Sequence, residues 1–284
     1  MGALIDSYEA FLLEQGGEEA CFDYYLRCRW PNGYRCPACN HRIAYTIRTR
    51  RLPLFECARC HYQASVTSGT LLEGTRTPLS KWLFAMKRIM DPVQGINAVQ
   101  LAELIHVTYK TAYAMLDKIR QCLRSIETDK LAGRIEAGLA FFGRPSLSYF
   151  DTAAQRPIAV GVSFSESDRP ASFAFMEIPM EHMHSGTIAS MGRELFKSHC
   201  FASDPLSQEN TVHHTKYLTR RHCKTLVPIY QAGFKRINAT YHGVHPRHLS
   251  KYLAEFAFRW NTLQNGSDGL LRIAQACSSS TLAA

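Results

Sequence analysis

The sequence predicts a mixed α/β chain: a helical, metal-stapled first part, then a part in which strands alternate with helices. Three observations predict it. Two Cys-x-x-Cys pairs stand 17 residues apart near the N-terminus. Helical periodicity fills the region from about Ser80 to Ser125. From Arg134 the texture changes to short apolar runs, "RIEAGLAFFG", "RPIAVGVSF" and "ASFAFMEIP", before helical spacing returns. With 284 residues and 46% hydrophobic content, the chain can bury a real core in two domains or one large domain with appendages.

Charge narrows the function classes. The formal net charge is +9, and it is concentrated. Arg27 to Arg88 holds twelve Lys or Arg against Glu56 and Glu73, and Lys216 to Arg259 holds nine against Glu255 alone. Two such regions predict a polyanion partner, because neutralising phosphates releases condensed counterions. The candidate phosphate contacts in them are Arg48, Arg50, Arg51, Lys235 and Arg236. The first residues carry acids where a signal peptide needs positive charge, and no apolar run reaches the ~18 residues of a membrane span. The expectation is a cytosolic protein, so the ten cysteines are read as metal ligands or buried thiols rather than disulfides.

The elements follow in order. "IDSYEAFLLEQ" and "GEEACFDYYLRCRW" read as helices broken at Gly16 and Gly17. Cys36, Cys39, Cys57 and Cys60 supply four thiolates for a tetrahedral zinc, with "NHRIAYTIRTRRLPLFE" between the pairs as short strands. Four thiolates leave no open position, so this zinc is structural. A helix opens near Ser80. Ala98–Ile105 is a short helix, and Thr108 N-caps another whose apolar positions are Ala112, Leu116, Ile119 and Leu123. Tyr109, Lys110 and Tyr113 are left outward near its start, which is helix-turn-helix logic. After three strands, "SGTIASMGRELFKS" reads as a helix and "HCFASD" as a strand ending in Asp204. A basic loop region follows, then a helix from His248 to Asn261 with the stripe Leu249, Tyr252, Leu253, Phe256 and Trp260. The segment from Gly266 reads as loosely attached.

Taken together, "RWPNGYRCPAC", "CARC", "SVTSGT", "TRTPLSKW", "QLAELIHVTYKTAYAMLDKIR" and "TYHGVHPRHLSKYLAEFAFRWN" resemble the zinc-ribbon DDE transposases of bacterial insertion sequences, with the ISXO2-like transposase domain. The resemblance runs over roughly residues 20 to 262. It implies a helical segment over 1–30, a zinc ribbon over 31–70, a helix-turn-helix region over 75–128, a ribonuclease H-like mixed sheet with helices over 130–264, and a tail over 265–284. It also implies double-stranded DNA at element ends as partner, a homodimer or larger assembly on that DNA, residence in the cytosol near the nucleoid, and no membrane.

The reaction of such domains is in-line displacement at phosphorus, assisted by two magnesium or manganese ions on converging carboxylates. By the resemblance, Asp204 matches the strand-end aspartate and Glu255 the helix acid. Lys251 and Arg259, four residues to either side of Glu255, offer the alternative of simple surface ion pairs. The chain departs from the pattern on the first strand, where Gly138 and Leu139 stand in place of an acid pair. Glu136, two residues earlier and on the same face, and Asp151 are the substitutes available. Pro228 and Tyr230 replace a polar patch before the last helix. His213, His214, His222, His242, His245 and His248 match no zinc spacing and are assigned nothing.

Three readings follow: a recombinase working through Asp204, Glu255 and Glu136; a DNA binder with an impaired catalytic site; and a zinc-stabilised interaction module.

Overall fold

The computed structural model describes residues 7–50, 52–126, 130–143, 155–203, 211–212 and 223–279. It is a mixed α/β protein in two compact units, one formed by residues 1–123 with 268–284, the other by residues 124–267. Among the described residues no helix is long and apolar enough to cross a membrane.

The first unit opens with α1 (Tyr8–Gln15) and α2 (Gly17–Arg29). Ser7 caps α1 through its hydroxyl, and Gly16, at φ +83°, takes the left-handed conformation that lets one helix end and the next begin at once. The three-stranded antiparallel ribbon is β1 (Ala44–Ile47), β2 (Leu54–Cys57) and β3 (Gln63–Ser65). Helix α3 (Leu79–Ile89) follows Pro78, which has no side chain able to cap it. Glu18 of α2 serves instead: its carboxylate accepts from the N–H groups of Leu79 at 2.9 Å and Ser80 at 3.4 Å. Helices α4 (Ala98–Leu104) and α5 (Tyr109–Ser125) complete this part. Asn97 and Gln100 form a capping box on α4, and Thr108 accepts from Thr111 N–H at 3.2 Å as the N-cap of α5.

Residues 269–279, within the segment read as loosely attached, are packed. Residues Gly269–Ser279 form a helix, numbered α9 below, that packs on α2 and α3, with Ile273, Ala274 and Cys277 fully buried. The Cys277 carbonyl accepts from Leu71 N–H at 3.1 Å and lies 3.4 Å from the Tyr25 hydroxyl. Its apolar stripe is held by burial rather than by helix propensity, which is why its Ser-rich end reads as a tail.

The second unit is built on a four-stranded sheet: β4 (Ile135–Gly143), β5 (Gln155–Phe164), β6 (Pro170–Glu177) and β9 (Thr211–Val212), in the order β6-β5-β4-β9. Neighbours are antiparallel except β9, which runs parallel to β4 at Glu136 and Ala137. Alternation splits the sheet into two faces. Ile135, Ala137 and Leu139 join Ala159 and Ala174 in a core that contains Phe196 of α6 (Ser190–Cys200). Ala140 and Phe142 join Val160, Val162 and Phe173 beneath α7 (Leu226–Tyr241) and α8 (Leu249–Gln264). A two-stranded hairpin, β7 (Met183–His184) with β8 (Thr187–Ile188), precedes α6.

Two sequence expectations are corrected here. His199 and Cys200 are the last turn of α6 rather than the start of a strand, and Phe201 makes a single parallel bridge to Leu131. The basic stretch before α8 is not a loop throughout, because it contains the 16-residue helix α7. Pro228 lies in the first turn of α7, where its missing N–H has no intrahelical partner to lose. At Gly233 a Cβ would stand 2.9 Å from the Phe256 ring, so glycine sets how closely α7 approaches α8.

Asn261 ties α8 to the sheet edge. Its side-chain amide accepts from Phe173 N–H at 2.7 Å and donates to Phe173 carbonyl at 3.1 Å, standing in for the strand that β6 lacks. Asn261→Ala therefore leaves two buried backbone groups unpaired. The expected loss is about 2–6 kcal/mol, from ~1–3 kcal/mol per unsatisfied group. Denaturant unfolding of the full chain measures it, and a loss below ~0.5 kcal/mol refutes the bridge.

Candidate functional site

Three groups of residues carry candidate chemistry. The first is the cysteine cluster. All four ligand sulfurs of Cys36, Cys39, Cys57 and Cys60 lie within 4.8 Å of one another, with Cys36–Cys60 and Cys39–Cys57 at 3.6 Å. Four sulfurs each ~2.3 Å from one zinc would be about 3.8 Å apart, so the cluster has the right size.

The two pairs are built alike. Asn40 N–H donates to the Cys36 carbonyl and Cys36 N–H to His41, just as His61 N–H donates to the Cys57 carbonyl and Cys57 N–H to Tyr62. Asn40 at φ +59° and His61 at φ +57° turn each knuckle back. Burial opposes ionisation of Cys36, but the N–H groups of Cys39 and Ala38 and the neighbouring thiols outweigh it and bring the thiol down to about 6. Cys57 is lowered for the same reasons, against the same burial. The donor set suits a metal that demands thiolates. Among the described residues no other group of three or more His, Cys, Asp or Glu side chains is placed to hold one ion, and that includes His242, His245 and His248. His213, His214 and His222 lie outside the described residues.

The second group is the exposed start of α5. Tyr109 is 57% exposed and Tyr113 43%, their ring centroids 6.2 Å apart, with Lys110 exposed beside them. Ala112, Leu116, Ile119 and Leu123 are buried on the opposite face. The turn from α4 has no glycine; His106 takes the left-handed conformation at φ +50° instead. Arg48 and Arg50 are exposed after β1, Lys235 is exposed on α7, and Arg236 is half-buried there. Arg51 lies outside the described residues.

The third group is the acids. Glu255 is only 3% exposed and Arg259 4%. Arg259 Nη1 lies 3.5 Å from Glu255 Oε1, and the Tyr241 hydroxyl donates across both carboxylate oxygens, at 3.1 and 3.3 Å. The pair with Arg259 offered as a surface contact is thus an interior one. Glu136 projects from β4 on the side of α7, as Gly138 does, and its Oε1 is buried without a hydrogen-bond partner. Beside it the Cys223 thiol is pushed up to about 12, first by burial and then by Glu136.

Sequence reasoning missed Glu177. Burial pushes its carboxyl up, against Arg156 and the Ser250 N–H at the start of α8. Asp204 and Asp151 lie outside the described residues.

Residues 16–63 match the model of a transposase zinc-ribbon domain, and residues 200–261 match that of an ISXO2-like transposase domain. Both matches point to the zinc-ribbon transposases, each over less than half of the chain. The first match spans α2 and both cysteine pairs, and the second spans α7 and most of α8 but begins after β4. No curated protein and no solved structure matches this transposase-family chain.

The burial of Glu255 has a measurable consequence. Removing one partner of a buried pair leaves an uncompensated charge and costs about 3–5 kcal/mol, whereas an exposed pair is worth ~0–1 kcal/mol. Glu255→Ala is expected in the larger range by denaturant unfolding, with part of the loss recovered by adding Arg259→Met. A loss below ~1 kcal/mol contradicts the interior pair.

Proposed function

We propose that this transposase-family chain binds double-stranded DNA ends and that its strand-cleavage chemistry is impaired. The observation that carries the proposal is the state of Glu255: its charge is matched by Arg259 and both its oxygens are engaged by Tyr241. A divalent cation would have to displace those partners in a buried setting. On the first strand, Gly138 offers no side-chain oxygen where the family pattern needs a carboxylate. The described residues therefore do not fit a two-metal site of magnesium or manganese.

Zinc does fit. Cys36, Cys39, Cys57 and Cys60 would hold it, and with no open position it supplies structure rather than catalysis. The ribbon spans few residues and little core, so the ion replaces a hydrophobic interior there. The α4–α5 pair is read as the helix-turn-helix, with Tyr109, Lys110 and Tyr113 toward DNA and Arg48, Arg50, Arg51, Lys235 and Arg236 on phosphates. The strand order β6-β5-β4-β9, with one parallel strand reached after α6, supports the ribonuclease H-like reading of residues 130–264. Action in the cytosol, by a dimer or larger assembly on paired ends, follows from the family.

A second reading is favoured by one observation. The unpartnered Oε1 of Glu136 could take a cation, which would make a recombinase of Asp204, Glu255 and Glu136. Incubating the DNA that flanks this gene with manganese separates the two. Wild type is expected to bind without cutting. Cutting by wild type that Glu136→Gln removes overturns the impaired reading in favour of the second.

The zinc has its own test. The purified chain is expected to carry one zinc by elemental analysis. Cys57→Ser should lose it together with most of the DNA affinity, and full affinity without zinc contradicts the structural role.

A further inference from the structure

Apart from Lys110, the exposed start of α5 lacks the side chains that read purines. From Thr108 to Ala114 the sequence is Thr-Tyr-Lys-Thr-Ala-Tyr-Ala, and between Asn97 and Asp117 there is no arginine. The two carboxamides nearby are committed: Asn97 Oδ1 accepts from Gln100 N–H at 3.0 Å and Gln100 Oε1 accepts from Asn97 N–H at 3.1 Å. Bidentate reading of adenine needs an amide oxygen and its NH₂ together, so the capping box removes both candidates. The next arginine, Arg120, is 3% exposed.

What remains outward is carbon-rich. Tyr109 and Tyr113 lie one turn apart, Ala114 is exposed behind them, and Lys110 is the one cation of the stretch. The chemical feature of the major groove that such a face recognises is the C5 methyl of thymine, while Lys110 meets a phosphate or a guanine as a point charge. Resting on the helix-turn-helix reading above, we propose that α5 selects its DNA through thymine methyl groups, with Tyr109, Tyr113 and Ala114 as the specificity-determining residues. The occupant is duplex DNA rather than an apolar protein surface, because Lys110 stands beside the tyrosines and residues 27–88 of the same unit carry an excess of ten positive charges.

The test uses the full chain and four 20-base-pair duplexes: alternating A·T, the same duplex with deoxyuridine for thymine, alternating G·C, and alternating G·C with 5-methylcytosine. Each methyl buried on binding is expected to contribute about fourfold in affinity, the equivalent of ~0.8 kcal/mol. The thymine duplex should therefore bind at least fourfold tighter than its deoxyuridine twin, and 5-methylcytosine should raise affinity for G·C. Tyr113→Ser and, as a second exposed substitution, Tyr109→Ser should erase the difference between the thymine and deoxyuridine duplexes. Equal binding of the thymine and deoxyuridine duplexes overturns methyl reading alone. A methyl preference untouched by both substitutions moves the reading to another part of the chain and also overturns the proposal. Absence of any salt-sensitive binding overturns the helix-turn-helix reading and this proposal with it.

Discussion

An ionised carboxylate enclosed by protein is tolerated only where a counter-charge and hydrogen bonds replace water, and the α7–α8 layer of the second unit meets that condition at Glu255. Tyr241 closes α7, so its hydroxyl reaches across to α8 from the one place where the two helices are already held. Gly233 keeps them close, and Phe256 fills the space this leaves. One turn further along α8, Arg259 supplies the charge, and Asn261 follows it onto the sheet edge at Phe173. A short stretch of helix therefore fixes α7 on one side and β6 on the other. The polar residues of α8 serve that packing.

The first unit solves a different problem. Its ribbon strands are three or four residues long, and Phe55 makes its ring contacts with Trp30 and Tyr34 rather than with a second sheet. Four converging thiols with backbone N–H groups aimed at them are the physical substitute for a core. The helices around Phe11, Tyr25 and Phe84 have a core of their own and need no ion.

Local chemistry was legible in the sequence; long-range pairing was not. The cysteine spacing, the Thr108 cap and the outward Tyr109, Lys110 and Tyr113 are set by a few neighbouring residues, so pattern alone placed them. Helix α7 was hidden by Pro228, Gly233 and its basic composition, all features of loops unless a packing partner is known. That partner is α8, and nothing local announces it. Glu255 was placed on the correct helix, but its basic neighbours at four-residue spacing suggested a surface, because burial depends on what the rest of the chain brings. The Asn261–Phe173 bridge spans 88 residues of sequence and has no local signature. Of the candidate catalytic site, Gly138 was legible as a departure, whereas the commitment of Glu255 to Arg259 and Tyr241 required coordinates.

The return of α9 to the first unit sets an order on the making of the protein. Synthesis runs from the N-terminus, so the ribbon, α4 and α5 emerge well before Gly269–Ser279. Until those last residues leave the ribosome, the Leu71 N–H lacks its carbonyl partner, and the apolar face that Ile273, Ala274 and Cys277 cover stays wet. The whole second unit is translated in that interval. A nascent chain thus carries its finished surface helices on an unfinished interior, and the part that emerges first is the part whose folding is completed last.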